Sequence, residues 1–548
     1  MPSTPTTKSQ VQAYRFVLRR MQSALVRKDA VMLHDPMRTH SRATIVGVCL
    51  AALGLLGFLI WGILSPKPTV PTKDGIVIGK PSGQVYVLLT KPTKRMIPVF
   101  NLASARLLLY SQSLGDEDDQ VSQGVGGPGT GGPAQVFEPT VVDDNELRDQ
   151  IPRSRKVGIA DGPDLLPSKD QRIDNQWTVC DQYKLDKDLN DPARDDKVET
   201  TVIAGVSDRG DELRENESLL VEAENGDDYL VYRTPGTANL PNTNTVRAKV
   251  DLDDRVIRAA LQVEDDQVRN ITTGLLNAIP EKTALVPPKI DGAGEKPQSG
   301  APGDLEVGSV FSVERAGQEP VFYVVEKNGI EKIKQTTADL IRYRQDINSG
   351  GIPKLSPQDV TESNVVDGGI DDSTFPKQQT EILKPENLPV TCLGWQTNGS
   401  GEDEVERTSV HVGKVVPGIP KDEQDNPKWV DISTPGSTGI RIQHFYMPPG
   451  RGAVVRQATS PADFKTGGIA LVSDRGVKYG VPDGNTAAAL GLADQLPAPD
   501  NILVLLPDGA SLDPRDVEQS YDTVPVEGGE YPTNTDDPNG DGAQSGGN

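Results

Sequence analysis

The chain has 548 residues, and its 54 glycines and 44 prolines indicate many turns and few long helices. Its 79 acidic residues outnumber 56 lysines and arginines, which gives a net charge of −23. This acidity argues against nucleic-acid binding, because phosphates would be repelled.

A basic arm opens the chain. Residues 1–42 hold eight lysines or arginines and two acidic residues. Apolar residues recur there at spacings of three and four, which predicts one apolar stripe along an amphipathic helix. The stripe consists of Val11, Tyr14, Leu18, Met21 and Leu25. Such a helix could dock on a partner protein or lie on anionic lipid, and the residues alone leave both interpretations open.

The arm leads into a membrane segment. Residues 43–64 are uncharged and mostly apolar, and as a helix they would span about 33 Å, against a hydrocarbon core of roughly 30 Å. Arg38 and Arg42 precede this run, and such residues favour the cytoplasmic side. We therefore expect a single-pass protein of the inner (plasma) membrane, with a cytoplasmic N-terminus and residues 65–548 outside. A cleaved signal peptide is the alternative, but the run is too long and starts too late.

Repeated patterns follow in the part beyond the membrane. Residues 83–109, 320–341 and 467–490 each combine an alternating apolar strand, a turn, a second strand and a helix. A looser fourth copy begins near Leu219, and its predicted helix is Arg255–Leu261. These patterns predict four small α+β repeats that bury one another's faces. Coincidence among short amphipathic strands is the alternative.

The three cysteines divide into two kinds. Cys49 lies inside the membrane segment, where its simplest interpretation is a small apolar residue that faces lipid or another helix. Cys180 and Cys392 lie beyond the membrane, each with a tryptophan three residues away, Trp177 and Trp395 respectively. An oxidising compartment and an even count favour a disulfide between Cys180 and Cys392. Two buried thiols are the alternative.

The sequence lacks three common motifs of catalytic and metal-binding sites. It contains no HExxH, no CxxC and no G-x-x-x-x-G-K-[ST], which argues against the zinc, redox and phosphate-loop sites that those patterns form. We therefore predict that the protein is not an enzyme and has no catalytic residue, metal ligand or cofactor.

Several segments, taken in order, resemble the EccB family, a membrane-complex component of the type VII (ESX) secretion systems of mycobacteria and related actinobacteria. No single segment is decisive, but together they run over nearly the whole chain. The similar segments are residues 35–43 (DPMRTHSRA), 101–107 (NLASARL), 177–181 (WTVCD), 274–281 (GLLNAIPE), 389–392 (PVTC), 448–452 (PPGRG) and 472–480 (VSDRGVKYG).

The resemblance implies a structural subunit that anchors and organises the periplasmic side of a protein-export channel. It implies as partners an EccC-type FtsK-like ATPase, EccD, EccE and other EccB copies, with possible contact to the cell wall and none to nucleic acid. EccB proteins are sometimes labelled ATPases, but the residues of a phosphate loop are missing here. The alternatives are a peptidoglycan-binding, membrane-anchored module and an ATPase of non-standard type.

The combined expectation is an α+β fold. It has an N-terminal cytosolic helix, one transmembrane helix and an elongated periplasmic domain of four small α+β repeats around a disulfide-linked central core domain. The predicted divisions are the arm 1–42, the transmembrane helix 43–64, repeat 1 at 65–115, a glycine-rich acidic linker 116–135, the first part of the central domain 136–205, repeat 2 at 206–285, repeat 3 at 305–350, the second part of the central domain 351–460, repeat 4 at 461–515 and a largely disordered C-terminal tail 516–548.

Overall fold

The computed structural model contains two compact units, Met1–Thr69 and Val70–Asn548. Positions 119–135 of the predicted linker and 520–548 of the predicted tail lie outside the described residues. The structure describes residues 7–27, 36–64, 70–91, 93–118, 136–147, 155–183, 198–234, 245–298, 300–346, 350–399, 401 and 404–519.

Two helices make up the described part of the first unit: α1 (Lys8–Arg27) and α2 (Pro36–Leu64). The apolar positions of α1 recur every three or four residues, as a 3.6-residue helical period requires. Within α2, the 20 residues Ala43–Gly62 are long and apolar enough to cross a membrane. The predicted arm helix and membrane helix are therefore both present as helices.

The second unit begins with a four-stranded sheet and two helices. Its strands β1 to β3 form an antiparallel meander, and β4 pairs with β1 in parallel. After α4, Val157 forms a parallel bridge to Val99 at the end of β3. The elements are β1 (Gly75–Lys80), β2 (Val85–Leu89), β3 (Arg95–Val99), α3 (Leu102–Asp118), β4 (Pro139–Asp143) and α4 (Asp144–Leu147).

The next stretch supplies three strands of a central sheet and then a second small sheet. The elements are β5 (Trp177–Tyr183), β6 (Val198–Ala204), β7 (Asp211–Glu212), β8 (Glu217–Ala223), β9 (Asp228–Arg233), β10 (Thr245–Val250), α5 (Arg255–Leu261), β11 (Val268–Ile271), α6 (Thr273–Ala278) and β12 (Glu281–Lys282). In the small sheet, β8 to β10 form a meander, β11 pairs with β8 in parallel, and β12 pairs with β10 in parallel.

A third small sheet repeats this arrangement. Its elements, and one short strand that joins the second sheet, are β13 (Val310–Val313), β14 (Val321–Glu326), β15 (Gly329–Ile333), α7 (Gln335–Gln345), β16 (Lys354–Leu355), α8 (Pro357–Thr361), β17 (Val365–Val366) and β18 (Glu381–Ile382). Strands β13 to β15 form the meander, and β16 and β17 flank it in parallel. Glu326 pairs with Gly329, so a two-residue turn joins β14 to β15, as the Lys327-Asn328-Gly329 sequence predicts.

The last stretch completes the central sheet and adds a fourth small sheet. The elements are β19 (Val390–Asn398), β20 (Val405–Gly413), β21 (Val430–Asp431), β22 (His444–Tyr446), β23 (Gly452–Ala458), β24 (Ile469–Ser473), β25 (Lys478–Val481), α9 (Gly484–Leu490), β26 (Leu496–Pro499) and α10 (Asp500–Leu503). Strands β23 to β25 form the meander, and β26 pairs with β23 in parallel. A parallel bridge joins Lys478 on β25 to Asp508.

All four small sheets therefore share one plan: three antiparallel strands, a helix, a strand parallel to the first, a short helix, and a segment parallel to the third. We call these units repeats 1 to 4. In repeats 1 and 4 the final segment is a single bridge. The sequence predicts two strands of the meander and the helix that follows them, whereas the first strands β1, β13 and β23 and the closing parallel segments lie outside the predicted pattern. The predicted α+β class is confirmed.

The repeats pack in two pairs. In the first pair, α3 of repeat 1 packs on α9 of repeat 4, and Leu107 and Leu490 share one hydrophobic cluster. Arg106 on α3 donates to the carbonyl of Leu490, 2.7 Å away, at the end of α9. That carbonyl is one of the helix-terminal groups without an intrahelical partner.

In the second pair, α5 of repeat 2 packs on α7 of repeat 3. Arg344 on α7 forms a 3.2 Å ion pair with Asp254, whose side chain also accepts from the Val256 N–H at the start of α5. Helix-on-helix packing is thus the contact that both pairs share.

The central sheet packs against both pairs. Its seven strands run in the order β21-β22-β6-β5-β19-β20-β7. Strands β5 to β7 come from one stretch of the chain and β19 to β22 from a later one, so the two stretches are interleaved in this sheet. One hydrophobic cluster joins Trp177 of the central sheet to Val231 of repeat 2 and Val472 of repeat 4. The central sheet therefore contacts one member of each pair.

Candidate functional site

The apolar stripe of α1 is the first candidate surface. Its five residues Val11, Tyr14, Leu18, Met21 and Leu25 are between 41 % and 82 % exposed. The helix also carries one lysine, four arginines and no acidic residue. Apolar side chains exposed in a row along a helix mark an interaction surface. Docking of this stripe on a partner stays a prediction.

The second candidate is the helix α2, which could anchor the chain. No side chain between Ala43 and Gly62 is buried within the described chain. Cys49 lies on this helix as an exposed free thiol. Only this helix is both long and apolar enough to cross a membrane among the residues that the structure describes.

The third feature is the junction between the two halves of the central sheet. Cys180 on β5 and Cys392 on β19 are bonded, with an S–S distance of 2.07 Å. The two residues are direct cross-strand partners in an antiparallel pair and are almost fully buried. The bond therefore joins two segments separated by 212 positions in the chain.

On the opposite face of these strands, a carboxylate connects the central sheet to repeat 2. Asp181 on β5 is buried and accepts hydrogen bonds from the Thr200 hydroxyl at 2.8 Å and the Thr272 backbone N–H at 2.8 Å. Thr272 is itself the N-cap residue of α6. Burial raises the pKa of Asp181 to about 6, although the hydrogen bonds oppose that rise.

A buried arginine makes the second connection to repeat 2. Arg269 on β11 is 2 % exposed. Its guanidinium donates to the carbonyls of Leu388 (3.0 Å) and Leu383 (2.9 Å) and to the hydroxyl of Thr391 (2.9 Å). Burial lowers its pKa to about 10, so it remains charged at neutral pH. The guanidinium thus holds the segment that leads into β19.

Sequence reasoning missed both connecting residues. One signal was available for Arg269: it is in phase with Ile271 on a short alternating strand, and both side chains are buried. An arginine at a core position of a strand needs polar partners. Asp181 directly follows Cys180 and gives no comparable signal, because its partner Thr272 is 91 residues away.

Metal-binding groups and cavities were the remaining candidates among the described residues. Within the described ranges, no group of three or more histidine, cysteine or acidic side chains is placed to hold a metal. A cavity of about 700 Å³ lies between residues 287–293 and α7, lined by Pro288, Ile290 and Arg344 among others. None of the predicted site residues lines it.

Comparison with protein families gives one match that extends over most of the chain. Residues 3–526 match the family model described as "Type VII secretion system ESX-1, transport TM domain B". This range includes the arm, the membrane helix, all four repeats and the central sheet.

Named relatives are similar over almost their full length. The chain is 28 % identical to the ESX-3 secretion system ATPase EccB3 of Mycolicibacterium smegmatis over 532 residues, which covers 94 % of this chain and 91 % of that protein. It is also 28 % identical to the ESX-1 secretion system ATPase EccB1 of Mycobacterium tuberculosis over 530 residues, or 95 % and 96 % of the two chains.

Solved structures share the fold. A chain of an intact ESX-5 inner membrane complex superposes with a TM-score of 0.63 at 22 % identity, covering 97 % of this chain and 98 % of that one. A chain of an EccB3 dimer from the ESX-3 core complex gives a TM-score of 0.62 at 25 % identity, covering 81 % of this chain and all of that one.

Proposed function

We propose that this chain, which belongs to the EccB family of the type VII secretion system, is a structural subunit of an ESX membrane complex that anchors and organises the periplasmic side of the export channel. The expected resemblance to that family is confirmed. The observation that carries the proposal is the match over residues 3–526, because it includes arm, membrane helix and body in one order. Related chains occur in solved ESX inner membrane and core complexes.

The proposed topology follows from charge and hydropathy. α2 is the single-pass anchor, the basic arm with α1 lies in the cytoplasm, and the second unit lies on the periplasmic side of the inner membrane. The excess of lysine and arginine before Ala43 supports this orientation. The disulfide between Cys180 and Cys392 supports it as well, because such bonds persist in oxidising compartments.

The proposed partners are of two kinds. On the cytoplasmic side, α1 docks through its apolar stripe on other subunits, which we take to be an EccC-type FtsK-like ATPase, EccD and EccE. On the periplasmic side, the body associates with further EccB copies, and a related chain forms an EccB3 dimer. Contact with the cell wall remains an alternative role that the same topology permits.

We propose further that the energy for export comes from a partner. Several relatives carry the name ATPase, but this sequence has no phosphate-loop motif. The purified chain should therefore hydrolyse ATP no faster than the buffer blank. Turnover that co-purifies with the chain and disappears in a point mutant of it would overturn this part of the proposal.

The complex itself can be tested by extraction of the tagged full chain in a mild detergent, followed by a native gel and mass spectrometry. A megadalton-scale band with an FtsK-like ATPase and multi-pass subunits is the expected result. A small band that holds only this chain, in several mild detergents, would contradict the proposal and favour a wall-binding or stand-alone role.

A further inference from the structure

A group of charges lies beside the disulfide face of the central sheet, and we call it the arginine cluster: Arg209, Arg233, Arg407 and Glu212. Strand alternation places Cys392, Gly394 and Gln396 of β19 on this face, opposite His411, Ser409 and Arg407 of β20. Glu212 on β7 is the cross-strand neighbour of His411. Arg209, Arg407 and Glu212 therefore lie on the disulfide face, and Arg233 reaches Glu212 from β9 of repeat 2.

Glu212 is shared between two of these arginines. Arg407 donates to both of its carboxylate oxygens, at 3.0 and 3.1 Å, and Arg233 lies 3.6 Å away. Arg209 instead donates to the amide oxygen of Gln396 at 3.0 Å, which carries no charge. The described cluster thus contains three guanidinium groups and one carboxylate.

Arg209 packs closely against the central sheet at Gly394. Its side chain lies over Gly394, where an added Cβ would be 2.6 Å from the Cδ of Arg209 and 3.1 Å from its Nε. A glycine inside a strand weakens the strand and often marks a close approach. Arg209 is 9 % exposed, and burial together with the nearby charge of Arg407 lowers its pKa.

The adjacent histidine adds no charge. The Gly210 carbonyl is 3.1 Å from Nδ1 of His411 and can only accept, so Nδ1 carries the proton. In the neutral ring, Nε2 then accepts from the Ser409 hydroxyl at 2.9 Å. Burial lowers the pKa of His411, which favours this neutral form.

Arg209 and Arg407 each have a buried polar atom that still needs an acceptor. The Nε atoms of Arg209 and Arg407 are buried and make no hydrogen bond within the described chain. A buried charged donor without an acceptor is costly, and guanidinium groups bind phosphate-like anions well because several donors lie in one plane.

We infer that Arg209 and Arg407 form a binding site for a small oxyanion of the phosphate or sulfate class, held on the disulfide face of the central sheet. The anion supplies negative charge that Glu212 alone does not provide. Because Arg209 is nearly enclosed while Arg407 is partly exposed, the site suits a compact ion reached from the Arg407 side.

The test uses the full-length chain in detergent, with unfolding followed by tryptophan fluorescence. Inorganic phosphate should raise the melting temperature by about 2–4 °C at concentrations well above its Kd, compared with chloride at equal ionic strength. Arg209→Gln and Arg407→Gln should lose this shift. The matched control Arg214→Gln should keep it, because Arg214 pairs with Glu217 outside the cluster.

Calorimetric titration of the wild type with phosphate keeps the test decisive if a variant fails to fold. Gly394→Ala, which displaces Arg209 without removing its charge, should weaken binding several-fold. Binding of glycerol 3-phosphate as tightly as phosphate would assign the ligand to a phosphate group on a larger molecule, which still supports the site. The inference would be overturned if titration with phosphate or sulfate released no heat of binding, or if phosphate raised the melting temperature equally in all variants.

Discussion

Trp177 lies directly opposite Trp395 across strands β5 and β19. Both side chains are buried, and the same two strands are joined three residues further along by the Cys180–Cys392 disulfide. The indole of Trp395 also meets Phe464 of the fourth repeat edge-on, with 6.3 Å between the ring centroids. The pairing of β5 with β19, two strands that are distant in the chain, therefore holds the centre of the second unit together.

Loss of the disulfide should destabilise the second unit. In the chain-entropy description, a loop closed over 212 positions contributes about 5 kcal/mol, because it restricts the unfolded chain. Cys180→Ser or Cys392→Ser should therefore lower the melting temperature under non-reducing conditions. Cys49→Ser is the matched control and should leave the melting temperature unchanged. An unaltered melting curve, with both thiols alkylated in the native protein, would contradict the prediction.

A charge on the α1 stripe should disrupt assembly. Leu18→Asp places a carboxylate among exposed apolar side chains, which an apolar groove on a partner would have to desolvate. We expect partner subunits to be lost from the purified complex, while the chain still inserts into the membrane. Gln12→Asp adds the same charge on the other side of the helix and should leave the complex intact. Complex of normal composition from Leu18→Asp would argue against docking.

Asp181 should make stability depend on pH. Its pKa is raised to about 6 by burial, from an ordinary value of 3.8, so its stabilising contribution is complete below about pH 3.8 and is lost as the pH rises through 6. Between these limits, the unfolding free energy of the wild type relative to Asp181→Asn should fall by up to about 3 kcal/mol. Denaturant titrations of both proteins at several pH values measure this difference.

The control for that experiment is Asp304→Asn, a substitution at an exposed site. The difference in unfolding free energy between Asp304→Asn and the wild type should not change with pH. If the unfolding free energy of Asp181→Asn changes with pH in parallel with that of the wild type from pH 4 to pH 7, Asp181 does not titrate in this range.

Replacement of the buried Arg269 should be more damaging than replacement of an exposed arginine. Arg269→Met removes the hydrogen bonds to the carbonyls of Leu383 and Leu388 and to the hydroxyl of Thr391, at a cost of roughly 3 kcal/mol or more. Arg214→Met should change stability by less than about 0.5 kcal/mol, because the Arg214 side chain is 77 % exposed. Similar melting temperatures for both variants would contradict the assigned role of Arg269.

Local sequence patterns were enough for many elements. The uncharged run at 43–64 predicted α2, the spacing of Val11 to Leu25 predicted α1, and the Lys327-Asn328-Gly329 turn predicted the hairpin of repeat 3. The pairing of Cys180 with Cys392 followed from compartment and count. Each of these inferences uses residues that are close in sequence or a composition that limits the alternatives.

The closing strands of the repeats could not be predicted in the same way. β4, β11, β16 and β26 each follow a helix and are only two to five residues long, which is too short for a reliable period-2 pattern. Sequence reasoning assigned residues 136–205 to the central domain, whereas β4 at Pro139–Asp143 pairs with β1 of repeat 1. Register with a distant strand, not local alternation, fixes where such a segment lies.

The sequence by itself determined the basic arm, the membrane span, the acidic body and the repeating strand–turn–strand–helix pattern, because charge and hydrophobic periodicity are properties of neighbouring residues. The tertiary structure alone decided that repeat 1 packs on repeat 4 and repeat 2 on repeat 3, and that Asp181, Arg269 and Arg209 are buried. Those outcomes depend on which surfaces exclude water together across hundreds of residues, and no local pattern records that choice.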